Sequence, residues 1–351
     1  MTHQLLKDVP KLGRELRFMH VCGTHQDTLV KHGLEPLMRE VGVRIIQGPG
    51  CPVCVTTGAE IEMARALAKS GKVVAAFGDM MNVPGPSGSL FSARAEGADV
   101  RIVYSVTDAL AMARAEPAKD LVFLGVGFET TAPSSSFALA SDPPSNFSIL
   151  SFHRLVPPAL AAILSAGELK LDGLIEPGHV SAIIGTKPYE PLSSRWKVPQ
   201  VVAGFEPEDL LTAVAMLARQ VSEGRAEVEN EYSRVVKPDG NPKALKLMAE
   251  TFEPRDTKWR GFPSIPGSGM GIRNRYEAWD AARKYEDLLA PYANKEYPEP
   301  PGCLCGEVLR GLVESRECPQ FGKGCTPETP VGPCMVSAEG SCNIEYRYNR
   351  K

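Results

Sequence analysis

Three cysteines near the start of the chain carry the most explicit chemistry. Cys22 stands in Cys22-Gly23-Thr24-His25-Gln26, and Cys51 and Cys54 stand in Gly48-Pro49-Gly50-Cys51-Pro52-Val53-Cys54. A C-x-x-C spacing permits a reducible disulfide or two ligands on one metal. Cys54 lies just ahead of an expected helix start at Thr57, where backbone N–H groups lower a thiol pKa. A structural zinc knuckle needs a second such pair nearby, and Cys22 is the only other thiol in this half. Redox or transient-metal chemistry is therefore the reading of Cys51 and Cys54. A lone cysteine after a strand is often a small core residue, but the neighbours of Cys22 point to function. His25 could orient or deprotonate a thiol, or ligate a metal. A solvent-facing histidine at a helix start is the equal alternative.

The chain has nine cysteines, and the other six are Cys303, Cys305, Cys318, Cys325, Cys334 and Cys342. Their spacing lacks the C-x2-C knuckles of zinc ribbons and the C-x2-C-x2-C run of bacterial ferredoxins. Four spaced thiolates among glycines and prolines can fold around a [4Fe–4S] cluster, with a four-thiolate zinc as the alternative. No C-x3-C-x2-C segment is present, which argues against radical-SAM chemistry.

These residues need elements to position them. Leu16–Val21 reads as a strand ending at Cys22, and a helical stretch from about Gln26 to Val41 is interrupted near Gly33 and Pro36. The strand Val43–Ile46 delivers the chain into Gly48–Cys54. Thr57-Gly58-Ala59-Glu60 is a capping-box pattern opening a helix through Lys69. Further strands end at Gly78-Asp79, at Gly125–Glu129, at His153, at Glu176–His179 and at Gly204–Pro207. Gly125-x-Gly127-x-x-Thr130 is a partial dinucleotide fingerprint without its third glycine. It reads as a tight strand-to-helix turn with Glu129 facing the site. His153 and His179 read as loop hydrogen-bonders.

About eight strands alternating with helices predict an α/β fold with parallel sheets. Two similar doubly wound lobes, residues 1–120 and 121–225, are expected, with a barrel as the other closure. Residues 226–351 then form a mainly helical and loop region carrying the cysteine-rich tail. Within it, Ala244–Phe252 and Arg275–Leu289 look helical and Tyr292–Pro301 reads as a linker. In such sheets ligands bind beyond the carboxyl ends of the strands. That edge is where the Cys22, Cys51/Cys54, Asp79, Glu129 and His179 segments fall.

The 351 residues carry a net charge of −3 and 43% hydrophobic residues, without long charged blocks. Nothing there predicts nucleic-acid or membrane-surface binding. Residues 1–16 hold Lys7, Lys11 and Arg14 but no apolar core, so no signal peptide is expected. No apolar run approaches the roughly 18 residues of a membrane helix. A cytoplasmic protein without structural disulfides is the expectation.

The ordered motifs resemble the HypD family of [NiFe] hydrogenase maturation factors. They include Cys22-Gly-Thr-His, Gly-Pro-Gly-Cys51-Pro-Val-Cys54, Phe77-Gly-Asp-Met, Gly127-Phe-Glu-Thr-Thr-Ala-Pro, Pro177-Gly-His-Val-Ser and Ala203-Gly-Phe-Glu-Pro. The tail adds Cys305-Gly, Cys325-Thr-Pro, Pro330-Val-Gly-Pro-Cys334-Met-Val-Ser and Glu339-Gly-Ser-Cys342. Two positions depart from the family pattern: Gln26 replaces its usual Glu, and Asn82 its usual Arg.

The resemblance implies a scaffold, with redox activity, for assembling the Fe(CN)2CO unit together with a HypC-like chaperone. A HypE-like donor would supply cyanide, and the hydrogenase large subunit would be an indirect partner. It implies Cys22 as the iron thiolate with His25 close by, and Cys51/Cys54 as a redox dithiol. It also implies Cys318, Cys325, Cys334 and Cys342 on the [4Fe–4S] cluster, with Cys305 in reserve. The rival is a stand-alone iron–sulfur thiol–disulfide oxidoreductase, which would need Cys51/Cys54 but not Cys22.

Overall fold

Val73–Ala76 and Leu121–Gly127 are buried at every position. That is what parallel strands covered on both faces by helices require. The computed structural model describes residues 6–293 and 295–349, so the stretch read for a signal peptide begins outside the described residues. It contains β1 (Leu16–His20), β2 (Val43–Gln47), β3 (Val73–Ala76), β4 (Val100–Ile102), β5 (Leu121–Gly127) and β6 (Phe147–His153). β7 (Gly173–Pro177), β8 (Gln200–Ala203) and β9 (Val228–Asn230) follow, then the hairpin strands β10 (Phe252–Lys258) and β11 (Ser264–Ile272).

One parallel sheet has the order β2-β1-β7-β8-β9 and the other β4-β3-β5-β6. The α/β class with parallel sheets is borne out. The division at residue 120 does not describe the strands: it falls inside the second sheet, between β4 and β5. The first sheet is begun by β1 and β2 and completed by β7, β8 and β9, after the whole second sheet has been built. Phe18, Met19 and His20 pair with Gly173, Leu174 and Ile175. Periodicity finds a strand but does not name its neighbour, and a parallel pair can span any crossover long enough to return.

In both sheets the strand that enters first lies inside the second, and the third pairs with its other side. Such an order has a switch point, between β1 and β7 in one sheet and between β3 and β5 in the other. Ligand crevices open beyond the carboxyl ends of strands at that point. A core shared by the two sheets holds Met19, Val21, Leu174 and Val202 from one side, and Val74, Val122 and Leu124 from the other. Cys51 and Cys54 are part of it.

The region after residue 226 is less helical than expected. β9 extends the first sheet, and β10 and β11 form an antiparallel hairpin. The helix expected over Arg275–Leu289 is a 3-10 turn, Asn274–Trp279, and two short helices, Ala281–Lys284 and Glu286–Ala293. The turn of the hairpin fastens the site: Arg260 donates from its backbone nitrogen to Val55 O (2.9 Å) and from Nε to Thr56 O (2.9 Å). Beside it, Gly261, at φ +81°, lies against Gly306 next to Cys305, with no room for a side chain on either.

Candidate functional site: a sulfur-lined centre

Cys22 leaves β1 as the N-cap of the helix Gly23–Lys31, in extended conformation. Backbone N–H groups of Thr24 and His25 turn toward its sulfur and favour the thiolate, but burial dominates and pushes the thiol up to about 11. A cation at that sulfur reverses the balance, because a bound metal deprotonates a coordinating thiol. The Gly48–Cys54 segment runs beside it: Gly48 N donates to His20 O (2.8 Å) and Gly23 N to Gly50 O (3.2 Å). Cys51 and Cys54 form a disulfide, with Cys54 N donating to Cys51 Sγ at 3.1 Å. The helix start expected at Thr57 is present, with its reciprocal capping box to Glu60.

The approach of the two segments depends on Gly50, where a Cβ would overlap the backbone nitrogen of Cys22. Backbone on both sides leaves nothing flexible to give way. Gly50→Ala is expected to lower stability by at least about 1–3 kcal/mol in thermal or denaturant unfolding. It should also separate Cys22 from the disulfide.

His25 is fully buried, so the solvent-facing reading fails. Its Nε2 donates to Gly204 O (2.9 Å) and approaches Ala203 O (3.3 Å) beyond β8. That fixes the proton on Nε2, and Nδ1 is left without a hydrogen-bond partner among the described residues. Burial holds the ring neutral, with a pKa lowered to about 3.

The sequence reading missed His20. It is buried beside Cys22, and its Nε2 donates to Gln26 Oε1 at 2.7 Å. Its signal was the position two residues before a strand-end cysteine, masked by an apolar run. Gln26 therefore makes a neutral pair with a neutral histidine, where a Glu would bury a charge. Asn82 lies exposed at the end of the 3-10 turn Gly78–Asn82. Nearby, Asp79 accepts from Ser337 Oγ (2.9 Å), tying the loop after β3 to the tail. His179 is exposed and stacks on Phe205 at 3.9 Å, and His153 is buried on Ser135 Oγ at 2.8 Å.

One cavity is lined by His20, Cys22, Cys51, Cys54, Glu339 and Cys334. A second is lined by all six tail cysteines, with Val308, Phe321 and Met335 completing its apolar wall. Cys334 lies on both. The tail is thus folded back onto the amino-terminal thiols. Gly23 packs against Glu339, and Gly340 against the carbonyl of Cys334, each without space for a Cβ.

Among the six tail thiols, Cys305 Sγ and Cys334 Sγ are 3.1 Å from each other, with Cys303 beside Cys305 and Cys342 beside Cys334. Thiolates on separate irons of a cluster are held further apart than that. Cys303, Cys318, Cys325 and Cys342 remain as four thiols around the same cavity. Cys303 is a residue the sequence reading did not place on the cluster. A donor set of sulfur alone, in an apolar wall, suits soft iron–sulfur or zinc chemistry. Among the described residues no group of three or more His, Cys, Asp or Glu side chains is drawn together tightly enough to hold a single metal ion.

Fold and site together define an α/β protein of two parallel sheets with thiols gathered at a strand-end crevice. The chain belongs to the HypD family, described as "Hydrogenase formation hypA family", whose model matches residues 1–349. It is 47% identical over 339 residues to a putative hydrogenase expression/formation protein of Methanocaldococcus jannaschii, covering 96% of this chain and 93% of that one. It is 44% identical over 349 residues to the hydrogenase maturation factor HypD of Rhizobium leguminosarum bv. viciae (96% and 89% covered). For HypD of Cupriavidus necator the identity is 42% over 350 residues (96% and 91%). No helix among the described residues is long and apolar enough to cross a membrane.

Proposed function

We propose that this protein acts in [NiFe] hydrogenase maturation, as a cytoplasmic scaffold on which the Fe(CN)2CO unit is assembled. The observation that carries this reading is the single cavity shared by Cys22, Cys51, Cys54 and Cys334. A reductase acting only through its disulfide has no use for a third thiol in the same cavity. A scaffold needs one to hold its cargo.

Iron enters as cargo, held by the Cys22 thiolate together with a cysteine of a HypC-like chaperone. A HypE-like partner delivers cyanide, and the hydrogenase large subunit receives the product through the chaperone. The helix N-terminus at Cys22 supplies N–H groups that stabilise the thiolate. His20, neutral and with an unpaired Nδ1, lines the same cavity and offers an acceptor there, while His25 is held on the carbonyls of Ala203 and Gly204. Cys51 and Cys54 move two electrons by opening and closing their disulfide.

Cys303, Cys318, Cys325 and Cys342 would hold a [4Fe–4S] cluster, which when bound supplies electrons one at a time. Cys334, expected from the resemblance as a ligand, is better used with Cys305 as the sulfur step between the cluster cavity and the disulfide. Cys305 thus leaves its reserve place among the ligands for the same pair.

Metal and sulfide analysis of protein purified without oxygen tests the tail directly. About four iron and about four acid-labile sulfide per chain are expected. Zinc without sulfide would make the tail a structural site and remove the electron supply.

A further inference from the structure

Gln26 stands between two cavities. On one side is the thiol cavity, lined by His20, Cys22 and the Cys51–Cys54 disulfide. On the other is a cleft of about 430 Å³ between the helices Gly23–Lys31 and Leu34–Glu40 and the tail. Gln26 lines this cleft together with Glu35, Arg39, Glu314 and Glu345, and Gln47 lines both cavities. The link from Gln26 to the thiol cavity is His20, whose Nε2 lies 2.7 Å from Gln26 Oε1.

An amide has a donating end and an accepting end of nearly the same shape. Turned over, Gln26 would donate to Nε2, and the neutral ring would then carry its proton on Nδ1. His20 does not choose between the two by itself. Its ring is neutral in both, and the Cys22 backbone lies near enough to favour an added proton on it. The choice falls to the group that meets the far end of the amide.

That group is Glu35, in the first turn of the helix Leu34–Glu40. The Gln26 side chain lies at its carboxyl as a hydrogen-bond donor and favours the charged form. Burial, and after it Glu345, pushes Glu35 up to about 7; Glu314 acts with them, Arg39 and Gln26 against them. Above neutral pH the group is a carboxylate, which accepts hydrogen bonds and cannot donate them. The cations around the cleft are engaged elsewhere: Arg39 and Arg44 on Glu314 (3.2 and 3.0 Å), and Arg316 on Glu345 (2.8 Å).

We propose that Glu35 is a positioning residue that fixes, through Gln26, the tautomer of His20, so that the ring presents a lone pair and not an N–H to the thiol cavity. Direction passes along the chain link by link. Glu35 accepts from the amide N–H, the amide oxygen accepts from Nε2–H, and Nδ1 is left bare, without a partner among the described residues. A lone pair there attracts a cation held by Cys22, where an N–H would oppose it. A carboxylate at position 26 would accept from Nε2 without help; with Gln26 the direction comes from one link further out. The step from ring to cation rests on the reading of Cys22 as the iron thiolate, and the tautomer itself does not.

The test is nitrogen NMR of the full chain, labelled with the heavy nitrogen isotope in its histidine rings and measured above neutral pH. The His20 signals are assigned by their loss in His20→Asn. The wild type should show one tautomer of His20, with the proton on Nε2. Glu35→Leu should lose that preference, and Nδ1–H should appear. Adding Gln26→Glu to Glu35→Leu should restore Nε2–H, which a merely structural role of Glu35 does not predict. In the complex with a HypC-like chaperone, Glu35→Leu should retain about 10-fold less cargo iron, and the double variant should recover it.

A proton on Nδ1 in the wild type, or a tautomer unchanged in Glu35→Leu, would overturn the positioning role and leave the iron reading untouched. Tautomers as expected, with no cargo iron in the wild-type complex, would overturn the iron reading alone. Iron retention unmoved by a changed tautomer would overturn the link between ring and cargo. If Glu35→Leu fails to fold, Gln26→Leu breaks the same chain at its middle link and is read in its place.

Discussion

Cys22→Ala is expected to abolish binding of the mononuclear iron while leaving the fold and the tail cluster in place. Cys22 is a small buried residue at a helix N-cap, and the N–H groups of Thr24 and His25 lie toward its sulfur without closing a cap hydrogen bond to the neutral thiol. Removing one sulfur therefore costs only about 1 kcal/mol of stability. The effect on cargo is of another order. The helix N-terminus, the unpaired Nδ1 atoms of His20 and His25, and the neighbouring disulfide remain, but none replaces a thiolate on iron. Iron beyond that of the cluster should fall to background in the complex with a HypC-like chaperone, while thermal unfolding and visible cluster absorption stay near wild type. Loss of the cluster along with the cargo iron would show that Cys22 supports the tail, and not the cargo.

The second large effect separates two cysteines that a spacing argument groups together. Cys303→Ser should remove the visible absorption of the cluster and its iron and sulfide. Cys334→Ser should retain most of both, yet slow reduction of the Cys51–Cys54 disulfide by a cluster-reducing donor by at least about 10²-fold. The reason is the 3.1 Å contact of Cys334 with Cys305 and the place of Cys334 on both cavities. A thiol that bridges two cavities serves transfer between them, whereas Cys303 faces only the second. Alkylation of Cys51 and Cys54 after timed reduction measures that rate. Loss of the cluster in Cys334→Ser, with Cys303→Ser unaffected, would restore the ligand set implied by the family resemblance.

The strand ends were legible because each carries a local signal: an apolar run stopped by glycine, proline or a polar residue. β1, β2, β5 and the Thr57 capping box all lie where that signal put them. Pairing between strands has no such signal. β7 resumes a sheet begun by β1 after the crossover of an entire second sheet, so a division at residue 120 parts β7, β8 and β9 from β1 and β2. β9 was missed because its three residues are only partly buried and carry Glu229 and Asn230.

At the site, residue type revealed the thiols but not their grouping. Cys22, Cys51 and Cys54 do share a cavity, whereas the 3.1 Å approach of Cys305 to Cys334 and the place of Cys334 on both cavities appear only in three dimensions. Glu129 was read as facing the site from a tight turn, and Glu176 only as part of a strand-end loop. Their character comes from burial without partners, which depends on how the two sheets face each other.

The most direct test is infrared spectroscopy of the protein in complex with a HypC-like chaperone, purified without oxygen from cells holding the other maturation partners. Cyanide and carbonyl stretching bands should be present in the wild type and absent in Cys22→Ala. Bands that persist unchanged in Cys22→Ala, or a wild-type complex with no such bands, would contradict the assignment of Cys22 as the thiolate that holds the iron.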